Sequence, residues 1–149
     1  ERAVLPSSAE TFHANLAGRR ALLAEDNDLN REIAVELLGM TGMEVDCAYN
    51  GKEALDRFQA NGDAYDLILM DVQMPVMDGY QATEAIRRCG HPRARTIPII
   101  AMTADAFHED VVKARAAGMN GHLPKPIDME RLFQTIEDAL SAADSSHST

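Results

Sequence analysis

Five short apolar runs, set apart by longer stretches with helical period, constrain this chain more than any other feature. The runs are Ala21 to Ala24, Val45 to Ala48, Leu67 to Met70, Ile97 to Met102 and Gly121-His122-Leu123. Between them apolar residues return at three and four positions: Ile33, Leu37 and Met40; Leu55 and Phe58; Val111 and Ala114; Leu132, Ile136 and Leu140. Such stripes suit helices that cover a sheet. Each run is followed by a helix-start signal. Asn50 has Glu53 three positions on and Asp78 has Gln81, the pairing of a capping box, while Asp28 and Asp128 stand as caps for the first and last helices. Gly42, Gly62, Gly90 and Gly118 each follow a helical stretch, where a left-handed cap favours glycine.

Strands that alternate with helices require right-handed crossovers and a parallel sheet covered on both faces. Leu67 to Met70 is apolar at successive positions, as in a strand buried on both sides. The expected fold is therefore α/β, a doubly wound five-stranded parallel sheet of (βα)5 type. Residues 1–19 lack a sustained period and read as a linker, and residues 142–149 (AADSSHST) read as a disordered tail. The domain proper is expected over 20–141.

The most apolar run ends at an acid, Asp71. Glu25 and Asp26 follow the first run, Thr103 ends the fourth, and Lys125 follows the fifth. In an open α/β sheet the carboxyl ends of the strands line one crevice, so these residues share an edge. Carboxylates packed together repel one another unless a cation joins them, and Mg²⁺ suits an all-oxygen set. A lysine adds a point charge for a phosphoryl oxygen, and a threonine hydroxyl adds an orientable donor. The set is suited to phosphoryl transfer with one carboxylate as nucleophile. Asp71, on the central strand, is the candidate nucleophile. Taken singly, each residue has an ordinary use: Asp26 or Asp28 as a helix cap, Thr103 as a strand residue, Lys125 as a solvated charge. Their conjunction at one edge gives the site.

A chain of 149 residues fits one domain. Its formal charge of −10 argues against nucleic-acid binding. The two cysteines, Cys47 and Cys89, lie far apart, which argues against a disulfide framework or a zinc site and suits a reducing cytoplasm. No apolar run approaches the ~20 residues of a membrane span, so the domain itself is expected to make no membrane contact. The eight methionines read as core filler, and His13, His91, His108 and His147 form no metal spacing. The chain opens on Glu1 rather than Met and reads as a piece of a longer one.

The stretches "LLAEDNDLN", "DLILMDVQMPVMDG", "IIAMTADA" and "GHLPKPI", in that order and spacing, resemble the receiver domain of two-component signalling proteins over about residues 20 to 140. The resemblance implies a flavodoxin-like fold and a phosphorylated Asp71. Asp26 and Asp71 would ligate Mg²⁺ directly, Glu25 would hold it through water, and the Gln73 backbone carbonyl would complete the protein ligands; Mn²⁺ is an expected substitute. Thr103 and Lys125 would contact the phosphoryl group with backbone N–H groups at Val72 and Ala104. The Lys125–Pro126 bond would be cis. Thr103 and His122 would form the conformational switch, with His122 where the family often has Tyr or Phe. The phosphodonor or acceptor would be a histidine kinase dimerisation domain or a histidine phosphotransfer domain. "EDNDLNREIA" and "GMNGHLPKPI" look most like receivers of hybrid sensor histidine kinases, whose parent chain can be anchored in the inner membrane; a stand-alone response regulator is the alternative.

Two other classes fit less well. A magnesium phosphatase of the haloacid-dehalogenase type also uses a strand-end aspartate, but it needs a second acid two positions on, where this chain has Gln73. A nucleotide switch needs G-x-x-x-x-G-K-[ST], and Gly51-Lys52 is followed by Glu53. As for catalysis, the domain is expected to act only on its own aspartyl phosphate, in a parent that is a histidine kinase.

Overall fold

The computed structural model describes residues 18–148 except Pro75, 104–107 and Pro126, with 108–110 and 141–148 described by backbone alone. The expected 1–19 linker falls almost wholly outside these residues, as do Ala104 and the proline of the expected cis bond. Among the described residues five strands and five α-helices alternate: β1 (Arg20–Ala24), α1 (Asp28–Met40), β2 (Glu44–Ala48), α2 (Gly51–Asn61), β3 (Leu67–Asp71), α3 (Gly79–Arg87), β4 (Ile99–Thr103), α4 (His108–Ala117), β5 (Gly121–Pro124) and α5 (Met129–Ser148). All pairings are parallel, in the order β2-β1-β3-β4-β5. β3 is thus central, and every residue of it is buried.

The sheet separates two apolar layers. Leu22, Ile68, Met70 and Ile99 join Phe58, Ala82, Ile86 and Ala114 beneath α2, α3 and α4. Leu23, Leu67, Leu69 and Met102 join Ala34, Leu38, Leu132 and Ile136 beneath α1 and α5. Period-two alternation along β3 feeds both layers, which is why its run is unbroken.

The caps largely follow the sequence. Asp78 and Gln81 form a reciprocal capping box on α3, and the Asp128 carboxylate accepts from the Arg131 amide at 3.0 Å. On α2 the Asn50 side chain caps Glu53, but the Glu53 carboxylate reaches back to the Tyr49 amide.

Several expectations are corrected. Asn27, not Asp28, caps α1 by accepting from the Asn30 amide, and Asp28 is the first helical residue. The α1 face turned to the sheet is Ala34 and Leu38, whereas Ile33 is 40% and Met40 56% exposed. A three-and-four period admits neighbouring phases, and the small Ala34 lets this one lie closest to the sheet. Gly62 has φ −55° and opens a one-turn 3₁₀ helix, so it is no left-handed cap. A Cβ there would meet the His91 ring at 2.7 Å, so space selects that glycine. Beyond these corrections, α5 runs through Ser148 and so takes in 142–148, the stretch read from composition as a tail. No Gly or Pro interrupts SAADSSHS, so the helix started by Leu132, Ile136 and Leu140 has nothing to stop it.

Candidate functional site

The strand order brings the expected residues to one edge. β3 ends at Asp71 between β1, which leads into Glu25 and Asp26, and β4, which ends at Thr103; β5 leads into Lys125. Oxygens of the Glu25, Asp26 and Asp71 carboxylates lie within 4.8 Å of one another. Glu25 and Asp71 are 1% and 3% exposed, while Asp26 is open to solvent. The Lys125 ammonium reaches both buried acids, at 3.0 Å from Glu25 Oε1 and 3.3 Å from Asp71 Oδ1.

Glu25 is held at every polar group. Its N–H donates to the Ala48 carbonyl at 3.0 Å, its carbonyl accepts from Arg31 at 2.9 Å, and its Oε2 accepts from the Asn27 amide at 3.1 Å. Asp71 Oδ1 accepts from the Gln73 amide at 3.3 Å. The loop beyond Asp71 is pinned at its far end, where the Gly79 amide donates to the Val72 carbonyl at 3.1 Å. A Cβ on Gly79 would sit 2.3 Å from the Asp71 carbonyl, so only glycine lets α3 start this close to the site.

The electrostatics follow from this crowding. Burial, and then the neighbouring Glu25 charge, push the Asp71 carboxyl up to about 6, against the opposing pull of Lys125. Burial works against the Lys125 charge, but its bonds and ion pairs with Glu25 and Asp71 outweigh that and raise it. One ammonium thus serves a cluster of three carboxylates, two of them buried. That deficit of positive charge and the all-oxygen donors fit a hard divalent cation such as Mg²⁺.

Of the other expected residues, Thr103 is buried at the end of β4. His122 is exposed, on β5 opposite Ala101. The Val72 amide, expected to face a phosphoryl group, donates instead to the Met102 carbonyl at 3.1 Å, because the β3–β4 ladder continues one residue beyond Asp71. The amide beside the Asp71 carboxylate is that of Gln73. Sequence reasoning missed Asn27, Gly79 and Arg31 as supports of the site. Gly79 was legible only as part of a cap signal, and Arg31, six residues after Glu25 on a helix, gave no signal at all.

An open parallel sheet of this order, with acids and a lysine gathered at its carboxyl edge, defines the class of flavodoxin-like signalling domains. The chain belongs to the response regulator receiver domain family, whose family model matches residues 21–137. It is 38% identical over 130 residues to hybrid signal transduction histidine kinase I of Dictyostelium discoideum, a match covering 85% of this chain and 8% of that protein. The receiver domain of a sensor histidine kinase from Pseudomonas aeruginosa, solved with magnesium coordinated in its active-site cleft, superposes with a TM-score of 0.76 at 36% identity, covering 84% of this chain and 99% of that one. The receiver domain of the histidine kinase CKI1 from Arabidopsis thaliana, complexed with Mg²⁺ and BeF₃⁻, gives 0.74 at 32% identity, covering 89% and 97%. This is a receiver domain homologous to those of hybrid histidine kinases in two-component phosphorelays. No helix among the described residues is long and apolar enough to cross a membrane.

Proposed function

We propose that Asp71 accepts a phosphoryl group from a phosphohistidine. What carries this reading is its position: a carboxylate 3% exposed at the tip of the central strand, beside two other acids and 3.3 Å from a lysine ammonium. An Asp71 carboxylate oxygen attacks phosphorus, the P–N bond to the donor imidazole breaks, and that nitrogen takes up a proton. Lys125 exchanges its contact with Asp71 for a phosphoryl oxygen, and Thr103 offers its hydroxyl to another. The Gln73 amide supports the carboxylate during attack. Glu25, Asp26, Asp71 and the Gln73 carbonyl would hold Mg²⁺, which when bound offsets the charge that the carboxylates and phosphoryl oxygens share. Mn²⁺ suits the same hard oxygen donors and would replace it.

Phosphorylation changes the charge at Asp71 from one to about two negative units and adds acceptor oxygens. Thr103 moving toward them leaves room behind it for the His122 ring. The space beside His122, between α4 and β5, is about 20 Å³ and lined by Ala114, Arg115 and Met119, enough for one water. His122 turning inward would change the surface formed by α4, β5 and α5.

The phosphodonor and acceptor fit a histidine kinase dimerisation domain or a histidine phosphotransfer domain of the same relay, in the cytoplasm. The parent fits a hybrid sensor histidine kinase, the architecture named for the Dictyostelium relatives this chain resembles. The test is phosphoryl transfer from a phosphorylated histidine phosphotransfer domain in Mg²⁺, read by intact mass. The wild-type chain should gain one phosphoryl group and Asp71→Asn none. Phosphate retained by folded Asp71→Asn places the acceptor elsewhere.

A further inference from the structure

Arg31 lies on α1, outside the acid cluster, yet it bonds to the main chain of that cluster. One guanidinium nitrogen donates to the Glu25 carbonyl at 2.9 Å. Another pairs with the Asp28 carboxylate, and the guanidinium carbon lies 4.3 Å from the centroid of the Tyr49 ring. The side chain is only 18% exposed. On the other side of the same residue, the Glu25 amide is fixed to the carbonyl of Ala48, the neighbour of Tyr49. Arg31 thus closes a small frame: the end of β2, the Tyr49 ring, the guanidinium and the Glu25 carbonyl.

An i,i+3 pair with the 90% exposed Asp28 contributes little by itself. The bond to Glu25 has a different consequence. The Glu25 carbonyl belongs to the peptide plane that joins Glu25 to Asp26, so fixing it limits how both carboxylates can turn toward Asp71.

We propose that Arg31 is a positioning residue for divalent-cation binding, acting through the Glu25–Asp26 peptide. This rests on the reading of Glu25, Asp26 and Asp71 as a magnesium site. The sign of the effect separates positioning from charge. A guanidinium near an acidic site repels an incoming cation, so on Coulomb grounds alone its removal strengthens Mg²⁺ binding. Loss of positioning weakens it.

The experiment is calorimetric Mg²⁺ titration of the wild-type chain, Arg31→Met and Arg31→Lys, with thermal unfolding in chelator as a parallel readout. Arg31→Met should bind Mg²⁺ about tenfold more weakly, at the low end for loss of an outer-shell bond. Arg31→Lys keeps the charge but not the fork and stacking, and should fall between the two. If Arg31→Met does not fold, Arg31→Lys alone carries the test, with binding about threefold weaker at unchanged charge. Equal or tighter binding by the variants, with or without a lowered unfolding temperature, overturns the proposal and leaves the metal reading intact. Absence of Mg²⁺ binding by the wild-type chain defeats that reading, and this inference with it.

Discussion

Lys125 is bound more closely to Glu25 than to Asp71, at 3.0 Å against 3.3 Å. The lysine therefore bridges a proposed metal-holding acid and the proposed nucleophile, both buried. Without a cation it is a counter-charge for both, and in the proposed phosphorylated state it turns toward the new oxygens.

Removing that bridge leaves two buried acids facing each other. Lys125→Met should lower stability at pH 7 in chelator by about 3 kcal/mol, the scale for breaking a buried pair. The loss should shrink when Mg²⁺ is added, and again below the carboxyl range. Urea unfolding of both proteins, with and without Mg²⁺, measures this; a loss indifferent to Mg²⁺ contradicts it.

Asp71 gives a pH dependence of defined sign. Its carboxyl is pushed up to about 6 in the fold, from an ordinary value of 3.8. The folded state therefore holds this proton more tightly than the unfolded chain. That contribution is present below pH 3.8 and is lost as pH rises through about 6. Metal-free Asp71→Asn should thus be more stable than the wild-type chain above that range, by about 1–3 kcal/mol. The difference should vanish near pH 4. Paired urea titrations across pH 4–7 check it, and a constant difference excludes Asp71 as its source.

Gly79 predicts the cost of crowding the site. A methyl group there would lie 2.3 Å from the Asp71 carbonyl and 2.8 Å from Val72 Cα, both main-chain atoms that cannot swing aside. Gly79→Ala should lose about 2–4 kcal/mol. It should also slow phosphorylation by displacing Asp71. Denaturant midpoints and phosphoryl-transfer rates test the two parts separately.

Arg87 braces the opposite end of the sheet. Its guanidinium donates to the carbonyls of Gly118, Ala94 and Ile97 and to the Asn120 side chain at 2.7–3.0 Å. Burial lowers its pKa. Arg87→Met strands these acceptors and should cost about 3 kcal/mol. Hydrogen exchange should quicken at the Asn120 amide, which donates to the Ile99 carbonyl. Unchanged exchange there would show that the α4–β5 turn holds without it.

The sequence by itself determined the alternation of strand and helix, the caps at Asn50, Asp78 and Asp128, and the meeting of Glu25, Asp26, Asp71, Thr103 and Lys125 at one edge. These follow from periodicity and chain order, because a parallel βα sheet sends every strand end to the same side. Tertiary structure alone decided the rest. It chose Ala34 and Leu38 over Ile33 and Met40 as the inner face of α1, since neighbouring helical phases differ only once a sheet is present to pack against. It gave the Val72 amide to the Met102 carbonyl, since the β3–β4 ladder carries one bond past Asp71. It also carried Arg31 to the Glu25 carbonyl and buried Glu25 while leaving Asp26 in water. Adjacent residues carry the same charge in the sequence, and only the path of the chain between β1 and α1 sets which one meets Lys125.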